Sequence, residues 1–106
     1  MQNSGIEAAF TNSNTEIISI LLQNGADVNA KDHHDFTALI SAAANNSNPE
    51  VISVLLKNGA DANMKCDWGE RAIDFARRYR HIKYSKAYQE LKKATDIRWW
   101  LRWWFW

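Results

Sequence analysis

The stretch "TEIISILLQNGADVNAKD" at residues 15–32 returns as "PEVISVLLKNGADANMKC" at residues 49–66, with 11 of 18 positions identical and an offset of 34. A repeat at a fixed offset constrains the fold more than any composition does. Each copy is one supersecondary unit too small to bury an apolar face alone, so copies must stack on one another around a continuous core.

Each copy reads as a helix followed by a tight loop. In the second, Ile52, Leu55 and Leu56 recur at helical spacing, Asn48 stands at the capping position, and Pro49 occupies the first helical position, where a missing N–H costs nothing. Gly59, and Gly25 in the first copy, follow the apolar run as left-handed C-caps. Between the copies, "HHDFTALISAAANN" predicts a second helix opened by Thr37, with a narrow face of Leu39, Ile40, Ala42 and Ala43. Its counterpart in the next unit is "DWGERAIDFARRY", with Ala72, Ile73, Phe75 and Ala76 in the matching places.

With "NGADVNAKDHHDFTALISAA" and "NGADANMKCDWGERAIDFA" side by side, the chain resembles the ankyrin repeat, whose unit of about 33 residues joins a Gly-Ala-Asp-x-Asn turn, a hairpin and a Thr-Ala-Leu helix opening. The resemblance implies an all-α solenoid of stacked antiparallel helix pairs with projecting hairpin loops. It covers about residues 6–94, as units of about 6–24, 25–58 and 59–94 within a domain of residues 1–94. The extra residue falls in "NNSNPE", and the last unit lengthens the same link through "RYRHIKYSKAY". A shift of 36 there places Ala87, Tyr88 and Leu91 on the face held by Val51, Ile52 and Leu55, and the periodicity carries on to Ala94.

Several positions depart from that pattern. Asp35 stands where the family has a turn glycine; aspartate tolerates the left-handed conformation better than most residues, at some cost. Arg71 replaces the helix-opening threonine and Cys66 replaces the turn aspartate found at Asp32, so the third unit is expected to be the less stable. Ile6, Ala8 and Ala9 align with Ile40, Ala42 and Ala43, but no hairpin or Thr-Ala-Leu opening precedes them. The expectation is a chain that starts inside a helix pair, through a late start or as a fragment of a longer array.

Function classes narrow from there. The sequence has no glycine-rich phosphate loop, no Gly-x-Ser-x-Gly and no His-Glu-x-x-His, so neither a catalytic residue nor a cofactor is expected. "DHHD" at 32–35 is the nearest approach to a metal constellation. Adjacent side chains on an extended hairpin diverge, so His33 and His34 are expected not to share an ion, with Asp67 beside His33 and Cys66 beside Asp32 in the stack. Cys66 is the one cysteine; without a base to activate it, it reads as a plain thiol, and a lone thiol fits a reducing compartment, here the cytoplasm. His81 reads as solvated.

The charge is asymmetric. Residues 1–70 carry three basic and nine acidic side chains, 3 − 9 = −6, and residues 71–106 carry ten and three, 10 − 3 = +7. The basic set of Arg71, Arg77, Arg78, Arg80, Lys83, Lys86, Lys92 and Lys93 accompanies no recognised nucleic-acid module and reads as a solvated face, so no nucleic acid is expected as a partner.

Family resemblance implies instead a protein partner, gripped by hairpin tips and by the inner face of the first helix of each pair. By position these are Lys31, His33, His34 and Phe36 on one tip, Lys65, Asp67, Trp68 and Glu70 on the next, and Ala44, Asn45, Arg78 and Tyr79 on the helices. Phe36 and Trp68 stand out because aromatics dominate binding hot spots; the alternative for Trp68 is packing against its own hairpin.

Residues 95–106 form a separate Trp/Arg-rich tail ending "RWWLRWWFW". Three readings stay open. Trp99, Trp100, Trp103, Trp104 and Trp106 suit a membrane interface, where the arginines meet anionic headgroups, although the run is far too short to span. They equally suit packing or self-association over an exposed apolar patch. The run can also be written almost entirely in G and T, as an accident of reading frame or of a cloned end would produce. A peripheral membrane adaptor, using this tail and the basic half, is the alternative to the protein-binding scaffold.

Overall fold

The computed structural model describes residues 14–45 and 48–95, with Arg80 and His81 as backbone only. The expected match of Ile6, Ala8 and Ala9 to the helix of the next unit, the solvated reading of His81 and all of the tail but Thr95 therefore lie outside the described residues. Six helices are described: α1 (Thr15–Gln23), α2 (Ala38–Asn45), α3 (Glu50–Lys57), α4 (Ala72–Ala76), α5 (Arg80–Lys83) and α6 (Lys86–Ala94). No strand occurs among the described residues.

Each longer helix starts where a side chain takes up an orphan N–H. Asn14 Oδ1 accepts from the N–H groups of Glu16 and Ile17 at 2.9 and 3.4 Å. Thr37 Oγ1 accepts from Ile40 at 3.2 Å, Asn48 Oδ1 from Glu50 at 3.1 Å, and Ser85 Oγ from Tyr88 at 3.2 Å. Pro49 has helical φ and ψ of −61° and −22°.

The ends of α1 and α3 are copies of each other. Gly25 and Gly59 adopt φ of +95° and +92°, and Ala26 and Ala60 donate back to the carbonyls of Leu21 and Leu55 at 3.2 and 3.0 Å, the Schellman closure. Asn24 and Asn58 add side-chain bonds to Ile20 and Val54 at 2.7 and 2.8 Å. The Asn-Gly pair is thus a two-part stop, with the amide taking one free carbonyl and the glycine turning the chain.

The helices stack in two rows. The inner row packs α2 on α4; the outer row packs α1 on α3 and α3 on α6. Within units, α2 packs on α3 and α4 on α6. The inner row is built from small residues, Ala38, Ala42, Ala43, Ala72 and Ala76, all buried, so backbones approach closely. Bulk comes from Leu39, Ile40, Val51, Ile52, Leu55, Ile82 and Leu91, each at most 1% exposed. The face expected to carry Ala87, Tyr88 and Leu91 inward does so.

The turn motif also binds unit to unit. Asn29 Nδ2 donates to the Gly59 carbonyl at 3.2 Å while its Oδ1 accepts from the Asp61 N–H at 2.8 Å. One amide therefore satisfies a donor and an acceptor of the following turn. That is the physical reason for asparagine at this place in the repeat.

Two local expectations change. Helix α4 stops at Ala76 after five residues, so Arg78 and Tyr79 sit in the turn beyond it rather than on an inner helix face. The cause is Ile82, 1% exposed: the short α5 turns this apolar side chain of the lengthened link down into the core, which a continuing α4 would prevent. Ala94 at the end of α6 is exposed. Its neighbour Thr95 is buried instead, donating through Oγ1 to the Leu91 carbonyl at 2.7 Å.

Candidate partner-binding surface

Two tip loops project from the stack, residues 31–37 and 65–71. They share a backbone: Asp32 and Cys66 donate to the carbonyls of Phe36 and Glu70 at 2.9 and 3.0 Å, and Asp35 and Gly69 donate back to Asp32 and Cys66 at 3.0 and 2.9 Å. They differ in what holds that backbone. In the first tip the Asp32 carboxylate accepts from the N–H groups of His34 and Phe36 at 2.8 and 2.9 Å, which fixes the loop from inside. Asp35 takes the left-handed turn at φ +62°.

In the second tip the thiol of Cys66 is buried and offers no such acceptor. Gly69 makes the left-handed turn at φ +75°. With Arg71 in place of threonine, the acceptor at the helix start comes from inside α4, where Asp74 Oδ2 takes the Arg71 N–H at 2.9 Å. Glu70 pairs with Arg78, whose guanidinium also lies 5.1 Å from the centre of the Phe75 ring. Arg78 is thus a strut between tip and core as well as a surface cation.

The tips join through the Asp67 N–H, which donates to the His34 carbonyl at 3.0 Å. Above that bond, His34 Nδ1 and Asp67 Oδ2 are 3.8 Å apart. Asp67 therefore faces His34, not His33 as the offset of 34 predicted, because the projecting tips meet one residue out of register. The expectation that His33 and His34 diverge also fails: in a turn rather than an extended strand, their rings lie 4.1 Å apart. Among the described residues no group of three or more His, Cys, Asp or Glu side chains is placed to hold a metal ion.

Phe36 and Trp68 meet edge to face at 5.6 Å, and Phe36 meets Phe75 at 5.7 Å. Phe36 is half-buried and packs against the core. It is less an exposed contact than the wedge on which Trp68 rests. Trp68 is 68% exposed, and its indole N–H has no acceptor among the described residues, so it offers an apolar face and a free donor together.

Lys31, His33, His34, Lys65 and Asp67 are exposed around this pair of tips, and Glu70 is half-buried. Asn45 is exposed at the end of α2, and Tyr79 is 39% exposed in the turn after α4. Lys31, Lys65 and Asn45 make no ion pair or ring contact among the described residues. The supporting residues Asp32, Phe75 and Asp74 are not in the sequence-derived set. Their signals were present, in the turn aspartate, the helix-face aromatic and an acid three residues into a helix.

A family model described as ankyrin repeats (many copies) matches residues 21–76, more than half of the chain, and one described as ankyrin repeat matches residues 6–33. No curated protein matches the chain.

Proposed function

We propose that this chain, which belongs to the ankyrin repeat family, is a non-catalytic scaffold that binds a protein partner through its two tips, with Trp68 as the anchor. Ankyrin repeats are in general protein–protein interaction modules, and the proposal assigns that role to particular side chains. The observation that carries it is the exposed Trp68, held edge-on by the half-buried Phe36. A large rigid aromatic, pre-positioned and bordered by charges of both signs, loses little conformational freedom on binding. His34, Asp67, Lys31 and Lys65 form a polar rim that orients a partner segment, and Arg78 and Tyr79 extend the surface past α4.

The basic half favours a membrane surface as the second reading. Tyr84 is 75% exposed with the Lys83 ammonium 5.9 Å from its ring centre, an arrangement suited to anionic headgroups. No helix among the described residues is long and apolar enough to cross a membrane. A single buried thiol suits the cytoplasm as the place of action.

Quantitative capture experiments with the full chain as bait test the scaffold reading. Trp68→Ala should remove the specific partners while circular dichroism and melting stay as in the parent, and Lys57→Ala, on α3 away from the tips, should retain them. An unchanged partner set for Trp68→Ala would refute the tip assignment.

A further inference from the structure

The outer helices α1, α3 and α6 occupy equivalent places in successive units, so their burial assigns a direction to each position. At the places of Ile17, Val51 and Ala87, the first is 42% exposed and the others 0% and 3%. Leu21 is half-buried where Leu55 and Leu91 are fully buried. These positions face the preceding unit, and in α1 nothing among the described residues covers them. Ile20 joins them at 53% exposed. The positions of Ser53 and Leu56 face the following unit, as the hydrogen bond from Ser53 to Glu90 on α6 shows. On α6 those places are taken by Gln89 and Lys92, both exposed. Among the described residues the stack thus has two unlike edges, an apolar one at α1 and a basic, polar one at α6.

We infer that the apolar edge of α1 is a docking site for a second copy of this chain, which arrives head to tail and presents its α6 edge together with its residues 98–106. Charge argues for this occupant. The half bearing α1 carries −6 and the half bearing α6 carries +7, so two copies attract when the end of one meets the start of the other. Register agrees. The helix-opening acid is Glu16 in α1 and Glu50 in α3, but its equivalent in α6 is Lys86. Continuing the stack at the usual interhelical spacing of about 8–10 Å brings the start of α6 in one copy, with Lys86, next to the start of α1 in the next, with Glu16.

Area argues for the tail. Ile17, Ile20 and Leu21 alone fall well short of the roughly 800 Å² per partner that a specific interface buries. The lysines of α6 supply little apolar surface. The segment that follows them does, with five tryptophans of about 150–250 Å² each and Arg98 and Arg102 for an acidic partner. Such a contact is heterologous, so each copy keeps one free edge and assembly grows past the dimer, into a row or a ring.

Two full-length variants, each blocked at one edge, test this. The first carries Ile17→Asp and Ile20→Asp, at side chains exposed in the single chain. The second carries Lys86→Glu with Trp99, Trp100, Trp103, Trp104 and Trp106 changed to Ser. Sedimentation of the parent should show growth with concentration beyond the 12.2 kDa monomer, weakened about tenfold or more by raising salt. Each variant alone should sediment as a folded monomer by circular dichroism, and their mixture should give a 1:1 dimer that grows no further. The inference is overturned if the parent is monomeric throughout, if the first variant still associates, if the second dimerises by itself, or if the mixture stays monomeric.

Discussion

The two copies of the repeat are nearly the same text set in different surroundings. Leu21 and Leu55 are the same residue at the same place, yet one is half-buried at an edge of the described stack and the other is enclosed on both sides. The tips differ in the opposite sense, with one backbone turn held by different chemistry. The first tip is self-contained, braced by Asp32 and capped by Thr37. The second is braced from outside itself, by Asp74 in α4, by the Arg78 strut and by the bond from Asp67 to the first tip. In a stacked fold, sequence identity specifies local conformation and neighbours specify energy.

The largest effect should separate the two leucines. Leu55→Ala is expected to cost about 2–5 kcal/mol as a truncation in a fully packed site, and Leu21→Ala about 1–2 kcal/mol because less area returns to water. Urea melts of the two variants measure the difference directly. Equal losses would mean that α1 is as enclosed as α3.

Helix caps sharpen the second contrast. Thr37→Ala should cost about 1 kcal/mol, whereas Arg71→Ala, which removes the 3.9 Å pairing of its guanidinium with Asp74 but no cap acceptor, should cost less, about 0.5 kcal/mol. Asp74→Ala should cost about as much as Thr37→Ala, since at the start of α4 the side-chain acceptor is Asp74, which takes the Arg71 N–H. A large loss for Arg71→Ala with none for Asp74→Ala, read by thermal melting, would break this account of the second tip.

The smallest effects belong to the left-handed positions. Nothing lies within 4 Å of a Cβ built on Gly69, so Gly69→Ala tests backbone strain alone and should cost about 1 kcal/mol. At the matching place Asp35→Gly should be neutral or stabilising by a few tenths of a kcal/mol, as the relief of strain is opposed by the flexibility glycine adds to the unfolded chain. A clear loss for Asp35→Gly would give the Asp35 side chain a role beyond the turn.

What was legible in the sequence was whatever the repeat wrote twice. The helices, the Asn-Gly stops, the caps at Asn48 and Thr37 and the left-handed Asp35 all follow from local chemistry in register with a second copy. The last unit was harder because there the repeat lapses. Arg77 and Arg78 are good helix formers, and nothing near them ends α4; the stop is imposed by Ile82, a lone apolar residue in a basic run whose pull depends on a core assembled from distant segments. The tip aromatics were recognisable as a pair, but not their unequal roles. Phe36 becomes a wedge only once α4 brings Phe75 beneath it, and the partnership of His34 with Asp67 rests on a one-residue slip between tips that a fixed offset does not encode.

The central claim is that partners are held at the paired tips around Trp68. A photo-crosslinking amino acid placed at position 68, and separately at Lys57 on α3, tests it most directly in cells that express the chain at native level. The account predicts a discrete protein adduct from position 68, lost on adding Asp67→Lys, and none from position 57. An adduct from position 57 with nothing at 68 would contradict it.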